Sequence, residues 1–400
     1  MGIFSWFNRG KYEYHKDRAG NHWTMTQPFV EDLPFDNLIS VYCSIPHLRA
    51  VIDKKAEYYS NAKFSVSYKD KDGNHVKDEK HSLNAVLSTP NYMQSMGELL
   101  FMSMVYRSIT GDAFLYKKTG LLDSAKDVKS IWNIDYTDFE ILLHRGANVI
   151  EADRKSDYIK KYRIWIEDRS FDFNNPEDLL HIRDYGISYK DAKSKIESLR
   201  EPLQNIYKAL KSRGILASRQ GGIGIIVGDA RGDFGTTNLL PKEKEDLERR
   251  VNEKSITSDR GGIHVTDVPL KWQSMVFPTK DLMLFEEIED DFRVICDQFG
   301  ISRHCFEADT TFNNKEIAEI SLYQNLIIPE WKKFASSLTS YLKLDQEDRF
   351  IDVHYDHIQI LQENEVEREE VLNKKSERLA RELELNVISL EEYRRAMGYV

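Results

Sequence analysis

Apolar positions recur at helical spacing most clearly between Thr279 and Leu342. Phe285, Ile288, Phe292, Ile295 and Phe299 fall three and four apart, which predicts a helix with one apolar stripe. Its other face is acidic: Glu286, Glu287, Glu289, Asp290, Asp291 and Asp297, with Arg293 the lone cation. Thr279 can cap the first turn and Gly300 can end the last. A loop, Ile301–Phe312, carries Arg303 and His304. Asn313 to Glu316 restart a helix, with a cap residue and a Glu three positions on. Its stripe is Ile320, Tyr323, Ile327, Trp331, Phe334, Leu338 and Tyr341. Pro329 lies within the stripe and should kink it, yet the apolar phase survives, so one bent helix is expected.

Upstream, Pro46 opens a helix to about Ser60, and Lys63–Lys69 alternates as a strand before the turn Asp70 to Asn74 and a second strand from His75. A short helix, His81–Leu87, precedes a strongly apolar one, Ser95–Ile109. Strands follow at Ala113–Lys117, Ile131–Ile134, Phe139–Leu143, Tyr158–Ile166 and Leu179–Ile182, so the first 185 residues read as α+β. Residues 1–40 read as extended. A capping box at Ser198 and Glu201 opens a long helix with Leu203, Ile206 and Leu210 inward and Lys208, Lys211 and Arg213 outward.

Between the two long helices lies a small α/β insert. It holds the strands Ile223–Val227, Ile263–Val265 and Leu270–Val276, a glycine-rich loop Asp229–Asn238, and a polar helix from Pro241. Phe350–Ile360 reads as a strand, Glu363–Leu385 as a charged helix, and Ser389 caps a last helix ending at Gly398.

The 400 residues, 41% apolar and 11% aromatic, suit a folded chain of one to three domains. A net charge of −10 supplies no chain-wide basic footprint for gripping nucleic acid. Three cysteines, Cys43, Cys296 and Cys305, offer no disulfide framework or metal knuckle and fit a reducing compartment. The apolar runs are too short to span a bilayer, and the first seven residues lack a signal-peptide or myristoylation layout, so no membrane is expected.

The chemistry on offer is sparse. The glycines at 221–235 match neither a P-loop nor a dinucleotide fingerprint, and a strand with a loop is favoured. Asp352, His354 and Asp356 could form a hard-metal trio, although a solvated strand face is favoured. Arg303 and His304 could touch phosphates or be plain surface. His47, His81 and His181 read as structural. No nucleophile, base or paired-carboxylate constellation assembles, so an enzyme is not expected, nor a cofactor.

Several segments, in order, resemble the portal proteins of tailed double-stranded-DNA bacteriophages. His81 to Asn91, then an apolar helix, then Gly111-Asp112-Ala113-Phe114 is similar to the family's H-P-L to P-N stretch, helix and G-N-A-Y, with Ser82 and Asp112 departing from it. Asp178 to Arg183 resembles its E-I-I-H-I-R strand, and Val294 to Ser302 its E-I-A-R-I-F-G-V-P segment, with Ser302 in place of proline. Asn313-Asn314, Ile328-Pro329 and Val387 to Arg394 resemble further family motifs, the last without its glycine. Coverage runs from about residue 40 to 398.

The resemblance implies an α+β wing (1–197), stem helices at 198–220 and 278–299, a clip (221–277), a tunnel loop (300–314), a kinked helix (315–343) and a C-terminal wing or crown region (344–400). It implies a dodecameric ring of this chain at one capsid vertex of the virion, assembled in the host cytoplasm. Double-stranded DNA would pass through it during packaging and ejection. Terminase large subunit, major capsid protein and head-completion or adaptor proteins of the head–tail connector would be its partners.

Glu286, Glu287 and Asp290 would then face the DNA, with Arg303 and His304 on the loop. Lys242, Glu245 and Arg249 are candidates for docking the motor, by position. Two alternatives stay open: a metal-dependent nucleotidyl- or phosphotransferase using Asp352, His354 and Asp356, and a non-viral scaffold protein.

Overall fold

The computed structural model describes residues 13–16, 22–25, 32–71, 73–120, 127–184, 192–219, 224–228, 242, 270–274, 284–307, 312–362, 376–379 and 381. In chain order these form strands β1 (Glu13–Lys16) and β2 (His22–Met25), then helices α1 (Leu38–Ser44) and α2 (Pro46–Ser60). Strands β3 (Lys63–Lys69) and β4 (His75–Lys77) precede helices α3 (Leu83–Ser88) and α4 (Met96–Thr110). Strands β5 (Asp112–Thr119), β6 (Val128–Asn133) and β7 (Asp138–Leu143) follow, then a one-turn helix α5 (Lys155–Tyr158). Next come β8 (Ile159–Ile166), β9 (Arg169–Phe173), β10 (Leu179–Arg183), a one-turn helix α6 (Lys195–Ser198) and the long α7 (Arg200–Arg219). The remainder comprises β11 (Gly224–Gly228), β12 (Leu270–Ser274), α8 (Leu284–Phe299), α9 (Phe312–Leu322), α10 (Ile328–Tyr341) and β13 (Phe350–His354). The chain divides into two compact units, Met1–Ile45 with Leu199–Val294, and Pro46–Ser198 with Ile295–Val400.

The larger unit is built on three antiparallel three-stranded sheets, ordered β10-β5-β6, β13-β3-β4 and β7-β8-β9. Phe114, Tyr162, Ile164 and Leu179 pack together as one core. Helix α4 starts at a reciprocal cap: Ser95 Oγ accepts from the Glu98 N–H while Glu98 accepts from the Ser95 N–H at 2.7 Å. It ends at Gly111 in the left-handed region, φ 92°. A Cβ there would lie 3.0 Å from the Ala192 Cβ, so glycine is required on both counts. Arg107, which interrupts the apolar run of α4, is buried with Glu330 at 2.7 Å and Asp184 at 3.4 Å.

Helix α9, a π-helical turn (Tyr323–Ile327) and α10 run on without a break. Pro329 sits in the first turn of α10 and brings no backbone N–H to the hydrogen-bond ladder there. The wider π turn before it absorbs the lost register, which is how one continuous run accommodates the proline. Tyr323, Ile327, Trp331, Phe334, Leu338 and Tyr341 are all buried, as their phase requires. Trp331 Nε1 donates to the Tyr59 carbonyl at 2.8 Å, fixing α10 on α2.

In the smaller unit β11 pairs antiparallel with β12, Gly224 opposite Ser274, so the two ends of the insert meet. Asn37 Oδ1 caps α1 through the N–H groups of Ile39 and Ser40. Residues 32–35, read as part of an extended start to the chain, lie along α7. The Leu33 N–H donates to Gln204 Oε1 at 2.8 Å, Lys208 pairs with Asp32 at 2.8 Å, and Arg200 lies over the Phe35 ring.

Four expectations need correction. The Ser198 hydroxyl donates to the Lys195 carbonyl and closes α6 instead of capping α7. Asn313 lies inside the first turn of α9 and is not its cap. The last strand stops at His354, because the chain turns at Asp356 and His357, whose Nε2 lies 2.8 Å from the Asn61 carbonyl. Strand β9 was not foreseen; it is only five residues long and mostly exposed, and its alternation is confined to Phe171 and Phe173. Thr279, the segments Asp229–Asn238 and Ile263–Val265, most of the polar helix from Pro241, and most of Glu363–Leu385 lie outside the described residues.

Candidate nucleic-acid interface

Helix α8 sorts its residues into two halves. Ile288, Ile295, Cys296 and Phe299 are buried, and Lys195 covers the Phe299 ring at 5.8 Å. Glu286, Glu287, Glu289, Asp290 and Asp297 are all exposed, with Arg293 among them. Five carboxylates within about four turns form a dense negative surface on a rigid rod.

Asp291 stands at the border between the halves. Burial raises its carboxyl above the usual range; the Asn205 amide on α7 opposes this with a hydrogen bond, and Glu287 and Asp290 add repulsion. That hydrogen bond ties α8 to α7. Burial also pushes the Cys296 thiol up to about 12 and raises that of Cys305, so neither is a ready nucleophile.

Gly300, at φ 70°, ends α8, and the Ile301 N–H returns to the Cys296 carbonyl at 3.0 Å. The chain then makes a 3-10 turn, Arg303–Cys305, capped by Ser302. Arg303 Nε lies 2.6 Å from Glu307 Oε1, and His304 Nδ1 lies 3.0 Å from Glu307 Oε2. One carboxylate thus engages both Arg303 and His304, and a phosphate would have to compete with it. Glu307 was overlooked in the sequence, though its spacing of three and four from His304 and Arg303 is that of a helical turn. Residues 308–311 of the loop lie outside the described set.

Of the proposed docking trio, Lys242 is exposed and helical, whereas Glu245 and Arg249 fall outside the described residues. The candidate metal trio does not come together. Asp352 faces His75 at 3.1 Å, His354 Nε2 lies 2.6 Å from Ser65 Oγ, and Asp356 sits beyond the strand end. Among the described residues no three His, Cys, Asp or Glu side chains could hold a metal ion. His81 and His181 are buried, and His181 is held by Asp112. Among the described residues no helix is long and apolar enough to cross a membrane.

The sequence matches the family described as Phage portal protein over residues 46–398. An uncharacterized protein of Rickettsia bellii (strain RML369-C) is 23% identical over 368 residues, covering 88% of this chain and 90% of that one. Another, from Rickettsia felis (strain ATCC VR-1525 / URRWXCal2), is 29% identical over 143 residues, covering 35% and 36%. The fold is similar to a chain in the neck of an empty gene transfer agent particle computed with C6 symmetry, at TM-score 0.60 and 17% identity, covering 92% of this chain and 95% of that one. It is similar to one in the neck of the native particle computed with C12 symmetry, at TM-score 0.59 and 16% identity, with 91% and 93% covered. An HK97 family phage portal protein from Corynebacterium diphtheriae gives TM-score 0.53 at 10% identity, with 79% and 94% covered. These likenesses establish an α+β portal-type protomer, and with the match across 46–398 the chain belongs to the phage portal protein family.

Proposed function

We propose that twelve copies of this chain form a ring at one vertex of a capsid, with α7 and α8 as paired stem helices around a channel for double-stranded DNA. The supporting observation is the division of α8 into an apolar buried half and an exposed half with five carboxylates. A channel wall must let a polyanion slide. Each Lys or Arg contact to phosphate gains affinity through counterion release, and a basic wall would hold the DNA. Glu286, Glu287 and Asp290 instead repel the backbone and keep the duplex centred.

Arg303 and His304 stand at the foot of α8, where brief phosphate contacts would be made in exchange for Glu307. The insert between the stem helices, with Lys242, Glu245 and Arg249, is the docking surface for the packaging motor. The larger unit meets the capsid and the head-completion proteins.

Packaging with the triple substitution Glu286→Lys, Glu287→Lys and Asp290→Lys tests this reading. DNA should stall, and added salt should relieve the stall. Normal packaging by the triple variant at low salt would remove α8 from the channel wall. Arg303→Ala and His304→Ala should change DNA velocity or retention, and unchanged values would remove the loop from the DNA path.

A further inference from the structure

We propose that the larger unit carries a second interaction surface, a cleft around Tyr92 and Trp132 that takes an acidic peptide segment of another protein through an apolar anchor residue. It shares no residue with the acidic face of α8 and does not depend on the channel reading. The cleft has a volume of about 500 Å³ and is lined by Asn91, Tyr92, Lys118, Lys129, Ser130 and Trp132. A volume of this size accommodates a few side chains.

The apolar residues are held out to solvent by a locked turn. Buried Asn91 donates to the Ile131 carbonyl at 2.9 Å and accepts from the Met93 N–H at 2.9 Å, while the Pro90 carbonyl accepts from the Ile131 N–H at 2.9 Å. The turn is thereby fastened to the outer edge of β6. Tyr92 is 87% and Met93 70% exposed as a result. Trp132, half-buried, meets the Tyr92 ring edge-on at 5.0 Å, and its Nε1 donates to Ser130. Adjacent exposed aromatic and Met side chains on a rigid backbone match the composition of protein-binding anchors and pre-order the contact.

The rim gives the partner's charge. Lys118, on β5 opposite Ser130, is exposed and enters no ion pair among the described residues. Lys129 is exposed beside Asp127 at 3.3 Å. Lys118, and Lys129 shared with Asp127, beside an apolar centre complement a carboxylate next to an aromatic or aliphatic anchor. They are too few to hold a nucleic-acid backbone against a net charge of −10.

The test uses the full-length protein and two fluorescein-labelled peptides, Gly-Ser-Asp-Glu-Leu-Phe-Glu-Asp-Ser and the same peptide with its acids replaced by lysine. Fluorescence anisotropy should show saturable binding of the acidic peptide alone. Trp132→Ala should abolish it, and Lys118→Glu should weaken it by about tenfold. Circular dichroism of both variants separates loss of binding from loss of fold. The proposal is overturned by no binding up to millimolar peptide, or by equal binding of both peptides. It is also overturned by preference for labelled oligo(dT), or by Tyr92→Ser and Met93→Ser dissociating the protein's own oligomer, which would make the cleft a contact between copies.

Discussion

The Asp112 carboxylate lies 2.6 Å from Nε2 of His181, and the same carboxylate accepts from the Ala192 N–H at 3.2 Å. Asp112 starts β5, His181 belongs to β10, and the pair sits buried beside the Phe114 ring, which stacks on the imidazole at 4.5 Å. Where the related motif has asparagine, this chain has an aspartate, whose side-chain oxygen orients a buried histidine. Asp112→Ala leaves two buried donors unpaired and should cost about 2–5 kcal/mol, read by urea unfolding. Asp112→Asn keeps an acceptor and should cost distinctly less; equal losses would mean that the side-chain oxygen is immaterial.

Acid sensitivity follows from the same histidine. Burial lowers the His181 pKa below the usual histidine value, and Asp112 only partly offsets it. Below about pH 6.5 the unfolded chain therefore binds a proton that the folded chain does not, and stability falls as pH falls. His181→Gln should flatten this acid limb in a Tm profile between pH 5 and 7. An unchanged slope would assign it to other groups.

Lys55 gives a slope at the opposite end. It is buried among Arg107, Lys195, Asp184 and Glu330, and burial first, then the two cations, push its pKa down to about 8. Between about pH 8 and 10.5 the unfolded chain holds the proton that the folded chain has released, so stability rises with pH. Lys55→Met should remove that rise and stabilise the protein at pH 7 by on the order of 3 kcal/mol. A variant less stable at pH 7 would show that the ammonium group contributes more through its partners than burial costs.

Arg107 and Glu330 join α4 to α10 across 223 residues of sequence. Removing one partner strands a buried charge, so Glu330→Leu should cost about 3–5 kcal/mol. Arg107→Met with Glu330→Leu together should cost less than the two singles added, which a double-mutant cycle measures.

Periodicity made much of this fold readable in advance. The stripe from Tyr323 to Tyr341 and the two faces of α8 are written in spacings of three and four, and burial follows them. The π turn before Pro329 was not readable, because it changes the hydrogen-bond register without changing the apolar phase. Nor was the Asp112–His181 pair, since 69 residues separate its members and only strand pairing brings them together. Strand β9 is short and exposed, and the lie of residues 32–35 along α7 depends on single polar contacts such as Gln204 to Leu33. For the candidate interface, the exposed acidic face was legible, and so was the placing of Arg303 and His304 on the loop after it. Their capture by Glu307 required the turn at Arg303–Cys305 to be seen.

Electron cryomicroscopy of the purified full-length protein bears most directly on the proposed role. The expected reconstruction is a twelvefold ring with an open central channel, with Glu286, Glu287 and Asp290 turned toward the axis. A monomer or compact oligomer without an aperture, or a ring whose axis is lined by other residues while these three point outward, would contradict it.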